Sequence, residues 1–364
     1  MSSGALPPVR GLFQRKIAGD DALLGLTALR FRQAGMAAEL YAEDTRELDR
    51  VLTFVPESEV APTVHLDRRI DLLDPDGREA VARFQRRYAG RVAGFVVHDR
   101  PSMATRLDAT ALALEQLGEP ARRDHGDVDH DAGWPTVYVE FAGGLEPRQF
   151  IELAEMIKDN PGASVCVDIG HIGVRQARAE ISRRLGERGA PSLFDPDLVD
   201  ALDPIAQAIG TALPAVTTMI DELGRIEKSV HLHLHDGHPL TPGVADHFGF
   251  LTRVPAPFPY QHRYSLPQLY GPVGLAEILR HAQAMRVPPT YTLEIHQVEG
   301  RLPLRDAQPM FAHWIDLTNA ERTNYWLGVL AENHLLVLSL LQIQANRACA
   351  TPPVTAPPLS GAAR

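Results

Sequence analysis

Cysteine is nearly absent, with only Cys166 and Cys349 among 364 residues. Two thiols build neither a disulfide framework nor a cysteine zinc cluster, so a reducing, cytoplasmic compartment is expected. Long apolar runs are missing too. The most apolar segment, LLVLSLLQI (335–343), is much shorter than the ~20 residues of a membrane span and follows Glu332, Asn333 and His334. It reads as a helix packed on protein. The start of the chain, MSSGALPPVRGLFQRK, lacks the charged-then-apolar pattern of a signal peptide. Positive charge is in deficit, with 36 Lys and Arg against 46 Asp and Glu and a net charge of −10. A surface of that sign argues against nucleic acid as a partner and leaves a small molecule as the expected one. There is no internal repeat, and no composition break marks a second domain.

What is present is alternation. Short β-rich runs alternate with stretches of helical period, the pattern of parallel βαβ units. The strand candidates are GLFQRKI (11–17), AAELYAE (37–43), TVHL (63–66), VAGFVVH (92–98), TVYVEFA (136–142), SVCVDIG (164–170), SVHLHLHD (229–236) and TYTLEIH (290–296). Eight strands with helices between them predict one (β/α)8 barrel over residues 1–348. Two connections, 172–228 and 237–270, are long enough to be insertions. The second, rich in Pro, His and aromatics, would lie on the C-terminal face as a lid or specificity loop. Thr318 and Glu321 form a capping-box pattern that should open a long C-terminal helix, a surface available for self-association. The Pro- and Ala-rich tail, 349–364, lacks the apolar content to fold.

Polar residues on the inner face of a barrel are costly without partners, and period-two alternation identifies them. In TVYVE, Val137 and Val139 share one face and leave Tyr138 and Glu140 on the other. Cys166 pairs with Asp168, Thr292 with Glu294 and His296, and His231, His233 and His235 all face inward. A carboxylate or imidazole therefore ends each of the last four strands. Three facing carboxylates repel one another unless a cation joins them. Glu140, Asp168, Glu294 and a histidine, His233 or its rival His235, suit one divalent ion: Mn2+, Mg2+, Zn2+ or Fe2+. No organic cofactor is expected. His231 lies deep enough to be a hydrogen-bonded core residue, and nothing near Cys166 marks an activated thiolate. The acidic stretch RRDHGDVDHDAG (122–133) precedes a strand, which places it on the face opposite the site.

These motifs resemble the xylose-isomerase-like TIM-barrel superfamily of sugar and sugar-phosphate isomerases, ketose 3-epimerases and apurinic-site endonucleases. The match rests on VCVDIGH (165–171), HLHD (233–236), VEFAG (139–143) and the TLEI strand, in order. The resemblance implies Glu140, Asp168, His233 and Glu294 as metal ligands, with Glu140 and Glu294 also moving protons. It implies substrate contacts from His65, His98, His171, His235, Asp236 and His296, with His171 alternatively on a second metal. The leading expectation is a metal-dependent isomerase or epimerase of a polyhydroxy carbonyl compound acting through an enediolate. The alternative is a metallohydrolase of the apurinic-site endonuclease type. That group needs an Asp-x-His pair for another metal, and the comparable stretch here, QHRYSLPQLYG (261–271), has none, with His262 as the substitute on offer. A lyase or specialised-pathway enzyme reusing the same metal site is a third possibility.

Overall fold

The computed structural model describes residues 6–14, 17–123, 133–186, 196–240, 247–251, 268–296 and 317–350. Its eight parallel strands close into a barrel in sequence order, the last pairing with the first. They are β1 (Val9–Leu12), β2 (Ala37–Ala42), β3 (Thr63–Leu66), β4 (Gly94–His98), β5 (Thr136–Glu140), β6 (Ala163–Asp168), β7 (His231–Leu234) and β8 (Thr290–Leu293). The first strand starts two residues earlier than the sequence suggested. It follows directly on Pro7 and Pro8, and Arg10 and Gly11 pair with both neighbours.

Helices cover the outside: α1 (Asp21–Ala34), α2 (Thr45–Leu52), α3 (Pro75–Tyr88), α4 (Pro101–Ala104), α5 (Leu107–Arg123), α6 (Pro147–Met156) and α7 (Ile169–Leu185). The 172–228 connection completes α7 and adds α8 (Leu202–Ile209) and α9 (Ala212–Leu223). Then come α10 (Gly271–Gln283) and α11 (Asn319–Ala350). Outward strand residues such as Val64, Val97, Val139, Val167, Leu232 and Leu293 are at most 2% exposed and meet these helices. The inner face carries the polar set, because period two sends alternate residues to the axis.

The capping box forms as expected: Thr318 N–H donates to Glu321 Oε2 at 2.7 Å, and Glu321 N–H donates to Thr318 Oγ1. Helix α11 is long and apolar enough to cross a membrane by composition alone. In this fold it packs along α1, α10, β1 and β8. Trp326 donates its indole N–H to Ile295 O at 2.7 Å, and Leu330, Val337 and Leu341 are fully buried. The acidic segment 124–132, much of the 237–270 connection with His262, and the tail 351–364 lie outside the described residues.

Because Leu330 fills space beside Gly11, Leu330→Ala should lower unfolding free energy by about 2–5 kcal/mol in urea titrations. A change below about 0.5 kcal/mol would show that α11 is not part of the core.

Candidate metal centre

The side chains at the C-terminal end of the barrel are positioned by register. His98 pairs with Glu140, Tyr41 with His65, and Asp168 with His233, so all of these lie near one level. Glu294 and His296 follow the end of β8. One donor atom from each of Glu140, Asp168, His233 and Glu294 lies within 4.8 Å of the others. Two histidine-rich groups of the same compactness flank them: His65, His98 and Glu140 on one side, Asp168, His171, His235 and His247 on the other. All these residues are buried except His98, whose side chain is 26% exposed.

The Asp-x-x-His motif works through a helix cap. Asp168 is the N-cap of α7, and its Oδ1 accepts the His171 N–H at 2.7 Å. The cap turns the chain so that His171 enters the site from the first helical turn. Gly170 is obligatory here, since a Cβ would sit 1.8 Å from His235 Cε1.

Two histidines have their tautomers fixed. His65 Nδ1 lies 3.0 Å from Leu66 O, and His235 Nδ1 lies 3.0 Å from Asp236 O. A carbonyl only accepts, so in each ring Nδ1 carries the proton. The remaining nitrogens face carboxylates: His65 Nε2 lies 2.8 Å from Glu140 Oε2, and His235 Nε2 lies 2.8 Å from Asp168 Oδ1. A lone pair against an anion is repulsive. It is relieved either by a second proton on the ring or by a cation between the two, and backbone-oriented imidazoles are the usual form of a histidine ligand. His233 has the related arrangement. Its Nδ1 lies 3.1 Å from Glu140 and 3.0 Å from Glu294, while Nε2 lies 3.1 Å from Glu39.

Glu39 on β2 was not singled out from the sequence. It is fully buried one layer below the site and accepts from Thr63 at 2.7 Å and Thr292 at 3.0 Å. Burial opposes its ionisation, yet His233 and His231 hold its carboxyl well below the usual range. Tyr41, two residues on and on the same face, gives its hydroxyl to Glu294 in a short hydrogen bond. The alternation in AELYA was signal enough for both. His247 was also missed, and nothing local in the sequence marks it. It is the one non-glycine with positive φ (52°) among the described residues, and its ring stacks between His235 at 4.0 Å and His296 at 3.8 Å. His231 is the core histidine expected, bonded to Thr290, with burial pushing its pKa down to about 4. Cys166 is buried, and burial pushes its thiol pKa up, as an inert residue requires.

Asp236, expected to touch substrate, is turned away from the centre. Its carboxylate accepts the N–H groups of Gly237, Tyr270 and Gly271 and braces the start of α10. Asp99, which follows His98, does the same for the loop after β5 through Ala142, Gly144 and Leu145. The other expected residues, His65, His98, His171, His235 and His296, all border the carboxylates.

Without metal, protons balance the charge. Burial opposes protonation of His65 and His235, but Glu140 and Asp168 respectively raise their pKa values, and His233 is raised well above the ordinary value. Burial holds His171 and His247 low, hence neutral. Three carboxylates and seven histidines, each ring within 3.5 Å of one of those carboxylates, make a donor set that fits divalent ions.

No protein-family model matches the chain, and no curated protein matches it. Among solved structures, the one described as "The crystal structure of AsfvAP:AG" is similar at 12% identity, covering 93% of this chain and 100% of that one, with a TM-score of 0.46. The HMG-CoA lyase from Brucella melitensis is similar at 12% identity over the same shares, with a TM-score of 0.40. Likenesses this distant add nothing to the site. The chain's own strand pairing and buried cluster define it as a TIM barrel with a His/Glu/Asp centre compatible with metal.

The protonated pairs have a pH signature. A histidine with a raised folded pKa stabilises fully below its unfolded value of about 6.5 and loses that contribution as pH rises through the folded value. The Tm of metal-free protein should therefore fall from pH 6 to pH 8.5. Saturating Zn2+ or Mn2+ should abolish the fall, since a ligand at a thousand times Kd adds about 4 kcal/mol. Calorimetric scans showing the same Tm with and without metal at pH 8.5 would contradict a metal centre.

Proposed function

We propose that this barrel is a metallohydrolase that cleaves an ester, most directly a phosphoester, with two divalent ions sharing Glu140. The supporting observation is the division of that one carboxylate. Oε1 faces His233 at 3.1 Å, alongside Glu294 and Asp168, while Oε2 faces His65 at 2.8 Å and His98 at 3.1 Å. A carboxylate whose two oxygens address separate donor sets is placed to bridge two ions. Glu140, Asp168, His233 and Glu294 would hold one ion, and His65, His98 and Glu140 the other. Ions held there would supply Lewis-acid polarisation and charge neutralisation to a bound phosphoester.

The chain's own groups do the rest. Glu39 and the Leu66 carbonyl fix the rings of His233 and His65, so the donor atoms need little reorganisation. Tyr41 holds Glu294 by its hydroxyl. His98, the most exposed ring of the set, borders the approach for substrate, and water is excluded elsewhere by burial.

Isomerisation or epimerisation of a polyhydroxy carbonyl compound is the second reading. It is favoured by Glu140 and Glu294 standing within 3.1 Å of one histidine nitrogen, which suits a pair of proton-transfer groups about a single ion.

The test is turnover of bis(p-nitrophenyl) phosphate by Zn2+- or Mn2+-reconstituted enzyme, run beside a ketose and ketose-phosphate screen. Phosphoester cleavage lost at least about 100-fold in Glu140→Gln and His65→Ala is expected. Ketose interconversion that survives His65→Ala would replace this proposal with the second reading.

A further inference from the structure

Gln14 is a buried polar residue that the two-ion centre leaves unexplained. It follows β1 closely, and the strand's alternation fixes its direction. Gly11 faces outward, since a Cβ there would meet Met36, Phe31 and Leu330, and the Phe13 ring packs edge-on against Phe31 at 5.1 Å. Phe13 N–H still donates to Glu39 O at 2.8 Å, so the chain keeps its ladder to this point. Gln14, one residue on, therefore turns to the inner face at the C-terminal end of the barrel. It is fully buried, as closed to solvent as Asp168 and Glu294.

The carboxamide has a fixed orientation. One end lies 2.6 Å from Tyr41 O, and a carbonyl only accepts, so that end is the NH2 group. The oxygen Oε1 is left at the other end, buried and with no hydrogen-bond partner. Tyr41 is itself held twice, by stacking on His65 at 4.5 Å and by its hydroxyl on Glu294, so the amide is anchored to the wall of the metal centre. Two other glutamines leave an oxygen unpartnered, but they stand on the outer helices. Gln85 on α3 has its nitrogen on Pro135 O, and Gln344 on α11 has its nitrogen on Ala276 O. Among the described residues, Gln14 Oε1 is the one such amide oxygen on the inner face. An acceptor shut away from water without a donor is unfavourable, and a bound ligand can bring the donor.

We infer that Gln14 Oε1 accepts a hydrogen bond from a hydroxyl group of the substrate, and so selects phosphoesters whose alcohol part carries a further hydroxyl. The inference rests on the phosphoester reading and names the substrate class within it. The donor is a hydroxyl and not an ammonium group. His65, His233 and His235, or the ions that replace their protons, already match the carboxylates, and a neutral amide offers a further cation no counter-charge. A hydroxylated substrate then satisfies an atom that a plain alkyl ester leaves unpaired. That difference is the strongest discrimination open to a polar pocket.

The experiment compares 3-hydroxypropyl and 4-hydroxybutyl p-nitrophenyl phosphate with the plain propyl and butyl esters, using zinc-reconstituted full-length protein. Wild type should favour the hydroxylated esters about 10- to 100-fold in kcat/KM. In Gln14→Met, which keeps the length of the side chain and removes the amide, that ratio should fall to about one. Bound zinc, counted by elemental analysis, should be equal in the two proteins, and circular dichroism confirms folding of the variant. Equal kcat/KM for hydroxylated and plain esters in wild type would overturn the inference, and this arm needs no variant. A common factor of loss on every ester in Gln14→Met would also overturn it, because the amide would then only brace Tyr41. A zinc count lower by one in the variant would make Gln14 a metal ligand and overturn it as well. No cleavage of any ester by wild type would instead remove the phosphoester reading, and the inference with it.

Discussion

Four carboxylates on the inner face of the barrel set the terms for everything around them. Glu39, Glu140, Asp168 and Glu294 are each at most 1% exposed, where an uncompensated charge is untenable. The fold answers with imidazoles: every one of these acids has at least one histidine nitrogen within 3.2 Å. Glu39 is kept ionised beneath the site by His233 and His231 and by the hydroxyl hydrogen bonds of Thr63 and Thr292. The upper three face rings whose far nitrogens are fixed by backbone or by Glu39, which leaves the near nitrogens free to exchange a proton for an ion. The layer below thus orients the layer above.

The same requirement explains the braces outside the centre. Asp99 and Asp236 directly follow inward-facing histidines and point the other way, each holding three backbone N–H groups of a neighbouring loop. Burial raises both pKa values to about 6, a cost partly offset by those amides. A His–Asp pair at a strand end therefore divides its labour: the imidazole serves the axis and the carboxylate fixes the loop. Helix α11 extends this support from outside the eight-stranded barrel through Asn333 and Trp326.

Much of this was legible in the sequence because a barrel strand has a strict period of two. That period placed Glu140, Asp168, His233, His235 and Glu294 on the inner face, and the capping box at Thr318 marked the start of α11. It applied equally to Glu39 and Tyr41, but AAELYAE reads as an ordinary strand until its neighbours Thr63, His231 and Thr292 are known. His-x-x-Asp suggested that Asp236 joined the site, since one-dimensional spacing does not show which way a residue past the strand end turns. His247 was beyond reach, because its place depends on a backbone bridge to Asp236 and on an asparagine 86 residues away. The first strand was placed late because GLFQRKI alternates only weakly.

The most direct test of the central claim is a crystal structure of zinc-reconstituted protein with anomalous data collected above and below the zinc edge. The account predicts an anomalous peak bounded by Glu140, Asp168, His233 and Glu294, at about 2.0–2.2 Å from the carboxylate oxygens and the His233 nitrogen. Water or empty density there, with His65 Nε2 and Glu140 Oε2 still paired directly at 2.8 Å, would contradict it.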